Sequence, residues 1–295
     1  MRDFSGRLAV ITGGASGMGR EIARQLAAEG CDVALCDLSE DLMADTAARI
    51  REESTGIRLT THRCDVGDEA SILRFRDEVV EQHDTDHVNL VFNNAGISGG
   101  GSLFDASRES WDRCFAICWG GVYHGTRAFL PLLTAADEAH LVNTSSVNGF
   151  WASLGPDRPH TAYSAAKFAV RGFTEALITD LRIHAPHVGV SIVMPGHIGT
   201  GIVRSSLRHG VIDDAIGDDA RAMMDAVADA FEQHAPMSAA EAATVILDGV
   251  REKRWRILVG DDAVALDQAV RADPEGAYDA GGMEALIAST RSLDP

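Results

Sequence analysis

A tyrosine and a lysine stand four residues apart, at Tyr163 and Lys167, in a stretch whose pattern predicts a helix. Side chains four residues apart project from one face of a helix, so the phenol and the ammonium are expected side by side. A phenol has a reference pKa of about 10, too high for a base at neutral pH, and a neighbouring ammonium lowers that pKa. The pair therefore indicates proton exchange with a substrate hydroxyl, with Tyr163 as the general acid or base.

The composition of the chain separates this pair from a chance surface hydrogen bond. The chain has 3 tyrosines, and only two of its 26 basic residues, Lys167 and Lys253, are lysines. Tyr123 and Arg127 have the same spacing, but an arginine holds its proton too tightly to share it in a relay. Tyr163 and Lys167 are therefore the better candidates for chemistry.

A glycine-rich turn, TGGASGMG at residues 12–19, follows the first predicted strand and leads at once into a helix pattern. Such a turn aims unpaired backbone N–H groups and the positive end of the helix at one point, which suits a pyrophosphate. The turn alone is a weak signal, because any tight connection between strand and helix favours glycines.

Asp37 strengthens the prediction of a dinucleotide site. It ends the second predicted strand, 18 residues after Gly19, where a carboxylate can accept hydrogen bonds from an adenosine ribose. The same charge repels a 2′-phosphate, and neither Ser16 nor Leu38 supplies a cation that would bind one. We therefore expect NAD rather than NADP, the alternative being that Asp37 is a solvated loop residue.

Short apolar runs alternate with amphipathic stretches along most of the chain. The predicted strands are residues 8–12, 32–36, 58–64, 88–92, 140–144, 189–194 and 256–259. The predicted helices between them are residues 19–29, 39–53, 69–83, 110–133, 162–184 and 239–251. This alternation predicts an α/β fold with a doubly wound, parallel, seven-stranded sheet, and ligands at the carboxyl ends of the strands.

Residues 1–260 are predicted to form one Rossmann-fold catalytic domain. Within it, residues 199–237 are rich in Arg, Asp and Ala and have no strand pattern, so we expect a helical insertion that serves as a substrate lid. Residues 261–295 are expected to form a C-terminal extension of short helices with a flexible joint. Either segment could equally be a contact between subunits.

Five motifs occur in a fixed order along the chain. They are Thr12-Gly13-x-x-x-Gly17-x-Gly19, Asn93-Asn94-Ala95-Gly96, Asn143-Thr144-Ser145-Ser146, Tyr163-x-x-x-Lys167 and Pro195-Gly196-x-x-x-Thr200. In this order and at these spacings, the motifs resemble those of the short-chain dehydrogenase/reductase family over about residues 5–260. The resemblance implies an oxidoreductase that transfers hydride to or from a nicotinamide cofactor.

The resemblance also implies roles for matching positions. Ser146, Tyr163 and Lys167 would carry the chemistry, with Ser146 orienting the substrate oxygen and Lys167 also bonding the nicotinamide ribose. Ile198 and Thr200 would hold the nicotinamide carboxamide. The full set of implied cofactor contacts is Gly13, Ser16, Gly17, Met18, Gly19, Asp37, Asp65, Val66, Asn93, Ala95, Gly96, Tyr163, Lys167, Pro195, Gly196, Ile198 and Thr200.

Cys118 departs from the family, which usually has an asparagine at this position to help hold a water in the proton relay. A thiol is a weak donor and acceptor, so it replaces an amide badly. Three interpretations stay open: a backbone carbonyl holds the water instead, the relay is slowed, or the protein binds NAD without turnover. Cys114 lies four residues earlier, but without a second pair or a nearby histidine we expect no metal site, only small buried side chains.

The segment between Ser146 and Tyr163 is sixteen residues long and begins beside the predicted active site. Its apolar residues and others downstream predict a roomy apolar pocket for a bulky secondary alcohol or ketone, although they could equally pack a loop or a subunit contact. The predicted lining residues are Phe150, Trp151, Leu154, Met194, His197 and Met223. Asp157, Arg158 and His160 could meet a polar substituent, but loop charges are usually solvated.

The net charge of −18 argues against nucleic acid or anionic membrane surfaces as partners. No apolar run reaches the roughly 18 residues that span a bilayer, and the N-terminal residues lack a signal-peptide pattern. The 5 cysteines are scattered, which does not predict a disulfide framework. We therefore expect a cytoplasmic protein, and the resemblance implies a homodimer or homotetramer.

The sequence thus predicts an NAD-dependent oxidoreductase that interconverts a bulky hydrophobic secondary alcohol and its ketone. Two alternatives remain from other classes. One is a catalytically silent NAD-binding protein, supported only by Cys118. The other is a dehydratase or epimerase on the same scaffold, which would turn over without net change in NADH.

Overall fold

A parallel sheet of seven strands forms the centre of the molecule. The computed structural model describes residues 1–208 and 218–291. The strands of this sheet are β1 Leu8–Thr12, β2 Asp32–Asp37, β3 Leu59–Arg63, β4 Leu90–Asn93, β5 Ala139–Thr144, β6 Val188–Pro195 and β9 Arg256–Val259. They lie side by side in the order β3-β2-β1-β4-β5-β6-β9. The order reverses between β1 and β4, which confirms the predicted doubly wound Rossmann fold.

Helices cover both faces of the sheet, as its buried apolar strands require. On one face pack α1 Gly17–Ala28, α2 Glu40–Glu53 and α9 Ala239–Arg251. On the other face pack α3 Glu69–His83, α4 Arg108–Phe115, α5 Gly121–Ala135 and α6 Thr161–His184. The resulting crossovers bring the carboxyl ends of β1, β4, β5 and β6 to one edge, where the predicted motifs meet.

The long helix predicted over residues 110–133 is interrupted. A π-helical turn, Ala116–Gly120, separates α4 from α5 and contains Cys118. Gly121 follows this turn and packs so closely on Val66 that an added Cβ would lie 2.8 Å from Val66 Cγ2. Hydrophobic periodicity does not reveal a single widened turn, although such turns frequently occur at functional sites.

The insertion after β6 is helical in its described part. It contains α7 Ile202–Arg208 and α8 Asp218–Gln233, and Arg204 of α7 forms ion pairs with Asp225 and Asp229 of α8. Two-residue strands that the pattern did not predict, β7 Ile198–Gly199 and β8 Met237–Ser238, pair at its base. Residues 209–217 of the predicted lid lie outside the described residues.

The C-terminal extension folds as α10 Asp261–Ala272, a short 3₁₀ turn Gly276–Tyr278 and α11 Ala280–Arg291. Together with the segment after Ser146, these helices form a third apolar cluster beside the two that flank the sheet. Among the residues that the structure describes, no helix is both long and apolar enough to cross a bilayer.

Candidate active site

One continuous cavity of about 420 Å³ runs along the carboxyl ends of the central strands. Asp37 and the glycine-rich turn line one end of it, and Ser146, Tyr163 and Lys167 line the other. The predicted cofactor residues that line it are Gly13, Ser16, Gly17, Met18, Asp37, Asp65, Val66, Ala95, Gly96, Tyr163, Lys167, Pro195, Gly196, Ile198 and Thr200. The fold thus brings residues from five motifs to one surface.

The two remaining predicted cofactor residues, Gly19 and Asn93, lie behind the cavity wall. An added Cβ at Gly19 would come within 2.1 Å of the Gly13 carbonyl oxygen, so Gly19 allows α1 to pack under the turn. Asn93 Nδ2 donates to Asn143 Oδ1 at 2.9 Å, and Asn143 Nδ2 donates to Thr174 Oγ1 at 3.1 Å. This buried chain links β4 and β5 to α6, the helix that carries Tyr163.

The glycine-rich turn is held against the loop after β4. Thr12 Oγ1 accepts hydrogen bonds from the backbone N–H groups of Asn94 and Ala95 at 3.0 and 3.1 Å. Gly13 has a φ of +67°, and its missing Cβ would lie 2.8 Å from Ala95 Cα. Only glycine satisfies both the left-handed conformation and this close approach.

Carboxylates lie at the end of the cavity predicted for adenosine. Asp37 Oδ2 accepts from Ala15 N at 3.2 Å, while Asp37 Oδ1 accepts from Leu38 N at 2.8 Å. Asp65 Oδ2 pairs with Arg113 Nη1 at 2.8 Å. Each carboxylate oxygen has more than one acceptor site, so Asp37 can steady the turn and still accept from a ribose hydroxyl.

Ser146, Tyr163 and Lys167 meet at the opposite end. Ser146 Oγ accepts from Asn148 N at 3.1 Å, and its hydroxyl is close enough to Tyr163 to affect the pKa of the phenol. Lys167 Nζ donates to the Thr144 carbonyl oxygen at 2.9 Å and lies 5.4 Å from the centre of the Tyr163 ring. All three side chains are buried. The helical spacing therefore places the phenol, hydroxyl and ammonium in one cluster.

The expectation that the lysine lowers the pKa of the tyrosine is wrong for this geometry. Burial raises the pKa of Tyr163, and only the Ser146 hydroxyl opposes that shift. Burial also lowers the pKa of Lys167. Desolvation disfavours the charged forms of both groups, so the phenol is protonated at neutral pH and is poised as a proton donor.

Cys118 lies in the π-helical turn beside this cluster and is fully buried. Its thiol donates to the Ile97 carbonyl oxygen at 3.1 Å. The neighbouring Cys114 thiol and the charge of Lys167 lower the pKa of Cys118. Lys167 already has the Thr144 carbonyl as its acceptor, so its position does not depend on the thiol.

We expect Cys118→Ala to lower kcat by no more than about threefold, because it removes one weak hydrogen bond and leaves the Lys167 anchor in place. The measurement is kcat for the best alcohol, with the thermal midpoint of each protein as a check on folding. A loss of about a hundredfold in a folded variant would instead show that the thiol takes part in proton transfer.

The predicted substrate-pocket residues divide into two groups. Trp151, Leu154 and His197 line the cavity, as do Arg158 and His160. His160 stacks on Tyr163 with ring centres 4.6 Å apart, and burial lowers the pKa of His160 to about 4, so this imidazole is neutral.

The other predicted pocket residues do not line the cavity. Met223 is 72% exposed on α8, because its side chain lies on the solvent face of that helix. Phe150 is buried under the Arg256 guanidinium, 5.8 Å from its ring centre, and Met194 packs inside the third apolar cluster. The pocket prediction is therefore wrong for these three residues.

Three lining residues come from the C-terminal extension and were not predicted: Asp262, Leu266 and Ile287. Asp262 Oδ2 accepts from His197 N at 2.6 Å, and an added Cβ at Gly196 would lie 2.1 Å from that oxygen. The buried carboxylate thus holds the turn after β6. The only sequence signal was an acidic residue in the first turn of a predicted helix, which usually reflects the helix dipole.

Comparison with known proteins gives the family. Residues 7–209 match the family model described as short chain dehydrogenase. SadH, a Mycobacterium tuberculosis protein named as an oxidoreductase, is 35% identical over 271 residues, 92% of each chain. The cyclopentanol dehydrogenase of a Comamonas strain is 35% identical over 202 residues, 68% of this chain and 76% of that one.

Solved structures of short-chain dehydrogenases have the same fold as this chain. A short-chain dehydrogenase/reductase from Burkholderia phymatum in complex with NAD superposes with a TM-score of 0.83 at 30% identity, covering 95% of this chain and 98% of the other. A metagenomic short-chain oxidoreductase of 25% identity and TM-score 0.64, with 87% and 97% of the chains covered, is in complex with NADP. This chain belongs to the short-chain dehydrogenase/reductase family of oxidoreductases.

Proposed function

We propose that this protein is an NAD-dependent dehydrogenase/ketoreductase that interconverts a hydrophobic secondary alcohol and its ketone. The observation that carries the proposal is the continuity of one cavity from the glycine-rich turn and Asp37 to Ser146, Tyr163 and Lys167. A cofactor bound along such a cavity ends beside the proton-transferring groups. This arrangement is what coupled hydride and proton transfer requires.

The shape and polar groups of the cavity fit a dinucleotide. The side-chain-free surface at Gly13 and Gly17, both with positive φ, would receive the pyrophosphate at the start of α1. Asp37 and Asp65 would hold the adenosine, and Ile198 and Thr200 the nicotinamide. When bound, the nicotinamide supplies the hydride acceptor or donor.

The preference for NAD is proposed from charge. The Asp37 carboxylate lies where the adenosine ribose would bind, and it repels a 2′-phosphate there. Leu38 follows it and has no charge to offset that repulsion. NADP-binding sites commonly place an arginine near this position.

The proton path is proposed from the cluster around Tyr163. In ketone reduction Tyr163 Oη donates its proton to the substrate oxygen, while the Ser146 hydroxyl orients that oxygen and stabilises its developing charge. In alcohol oxidation the same Oη must first lose its proton. Because burial raises the pKa of Tyr163, we expect alcohol oxidation to accelerate as the pH rises.

The substrate class is proposed from the cavity beside Ser146. Val147, Trp151, Leu154, Leu266 and Ile287 make its walls apolar. Such walls favour a hydrophobic substituent on the carbinol carbon. The similarity to a cyclopentanol dehydrogenase supports a secondary alcohol.

The assembly proposed is a homodimer or homotetramer. Tyr123 on α5 and Phe168 on α6 remain 38% and 40% exposed, and the Tyr123 ring lies beside the rings of Trp119 and Phe173. Large exposed aromatic side chains on neighbouring helices are typical of an interface. A location in the cytoplasm remains a prediction from the sequence.

The test is to incubate the protein with NAD and a panel of secondary alcohols, from small aliphatic to steroid and aryl alcohols, and to measure NADH by its absorbance. We expect NADH to form with alcohols that carry an apolar substituent. NADH binding without turnover of any alcohol would favour the silent NAD-binding protein. Conversion of an added substrate without net change in NADH would favour a dehydratase or epimerase.

A further inference from the structure

The C-terminal extension reaches back to the loop that follows Ser146. Residues of this loop and of β6 share one buried apolar cluster with α10, the 3₁₀ turn and α11. The buried members of the cluster are Phe150, Trp151, Ile192, Met194, Leu266, Val270, Ala277 and Leu286. The loop and the extension are therefore parts of one packed unit.

Hydrogen bonds also join the loop to the extension. Trp151 Nε1 donates to the Ala277 carbonyl oxygen at 3.0 Å, across 126 positions of sequence. The hydroxyl oxygen of Tyr278 accepts from Ala152 N at 2.8 Å. Directional bonds of this kind set the position of the loop relative to α11 more narrowly than apolar packing alone.

Ile287 of α11 lies at the point where this unit meets the cavity. Its side chain lines the cavity together with Leu266, Trp151 and Leu154. Its Cδ1 atom would lie only 2.8 Å from a Cβ added at Gly155, whose φ is +122°. Gly155 thus permits both the loop conformation and the approach of Ile287.

We propose that α11 is part of the substrate site and that Ile287 is a specificity-determining residue, which limits the size of the apolar substituent on the carbinol carbon. The inference rests on the proposed function for the chemistry at that carbon. The Ile287 side chain, which forms the wall of the cavity here, is held in place because it packs against the loop on one side and against the apolar cluster on the other. A substrate group that enters this end of the cavity must fit the space that the isoleucine leaves.

The experiment compares Ile287→Ala and Ile287→Phe with the unsubstituted protein on cyclopentanol, cyclohexanol, 1-phenylethanol and 1-naphthylethanol. The measured quantity is the ratio of kcat/KM for the bulkiest and smallest alcohols. One methylene group more or less in an apolar pocket changes the ratio of kcat/KM for two substrates by roughly tenfold or more. We therefore expect the ratio to rise about tenfold in Ile287→Ala and to fall about tenfold in Ile287→Phe. Glu284→Ala, an exposed position on the same helix, is the matched control and should leave the ratio unchanged.

A second measurement does not depend on turnover. In a Tyr163→Phe background, the dissociation constants of the corresponding ketones are measured in the presence of NADH by its fluorescence. We expect the size preference for binding to follow residue 287 in the same direction as the kinetic ratio. The thermal midpoint of each variant identifies any protein that has lost its fold. If one of Ile287→Ala and Ile287→Phe does not fold, the size preference of the other variant tests the proposal.

The possible outcomes separate this inference from the proposed function. Turnover with ratios that do not change at position 287 would overturn the role of Ile287 and leave the dehydrogenase intact. If the size preference of ketone binding changes with residue 287 but no alcohol is turned over, the role of Ile287 is supported and the proposed chemistry is contradicted. Absence of both turnover and ketone binding would overturn both.

Discussion

Replacing Tyr163 by phenylalanine is expected to lower kcat for alcohol oxidation by roughly a thousandfold, since a positioned general acid or base contributes about 10² to 10⁴. The substitution removes one hydroxyl and keeps the ring that stacks on His160. Ser146 keeps its hydrogen bond from Asn148 N, so the loop beside it retains one anchor. NADH binding should therefore be nearly unchanged, as measured by titration of NADH fluorescence.

The matched control is Tyr123→Phe, which removes a hydroxyl from a partly exposed tyrosine outside the cavity. We expect its turnover to equal that of the unsubstituted protein. If Tyr163→Phe retained comparable turnover, another group would have to be the proton donor, and the assignment of Tyr163 would be wrong. A Tyr163→Phe protein that had lost NADH binding as well would indicate a damaged site.

The second large effect is expected at Asp37. Asp37→Ala should lower the preference for NAD over NADP, measured as the ratio of the two kcat/KM values, by about a hundredfold. Hydrogen bonds to a charged group contribute about 1.5–3 kcal/mol, and 1.4 kcal/mol corresponds to a factor of ten. Loss of the carboxylate weakens NAD binding and also removes the repulsion of the 2′-phosphate, so both effects move the ratio in one direction.

The ratio is the informative quantity because Asp37 also supports the glycine-rich turn through Ala15 N. Loosening of that turn would weaken both cofactors together and leave their ratio unchanged. Asp41→Ala, at an exposed acidic position in the first turn of α2, tests the general effect of removing one negative charge nearby. An unchanged ratio in Asp37→Ala would contradict a ribose contact for this residue.

The sheet could be predicted from the sequence because its signals are local. β1 and β9 begin and end at the predicted residues, and so do α3 and α9. Buried parallel strands need continuous apolar runs, and the helices between them need one apolar face, so both patterns are visible in short windows. The motifs then reach one edge of the sheet by topology alone.

The proton-transfer chemistry could be predicted only in part from the sequence. The four-residue spacing correctly places Tyr163 and Lys167 together, but spacing does not measure how deeply each group is buried. Burial raises the pKa of Tyr163, and the nearby ammonium does not offset that shift. The balance between desolvation and charge depends on all of the surrounding atoms, so it can be judged only from the structure.

The part of the cavity that α10 and α11 form with the loop after Ser146 could not be predicted, because it depends on contacts between distant parts of the chain. Nothing near Trp151 in sequence indicates that its indole donates to Ala277. The insertion was predicted as helical without helix bounds, so the face on which Met223 lies could not be judged, and Met223 was placed in the pocket although it faces solvent. Ile287 enters the cavity only because α10 and α11 fold back over the loop.

The most direct test of the proposed function follows a hydrogen atom. The best alcohol of the panel is prepared with deuterium on its carbinol carbon and is oxidised with NAD, and the resulting NADH is examined by NMR. We predict that one deuterium appears at C4 of the nicotinamide and that a ketone forms in equal amount. NADH without deuterium, or product without NADH, would contradict direct hydride transfer in this site.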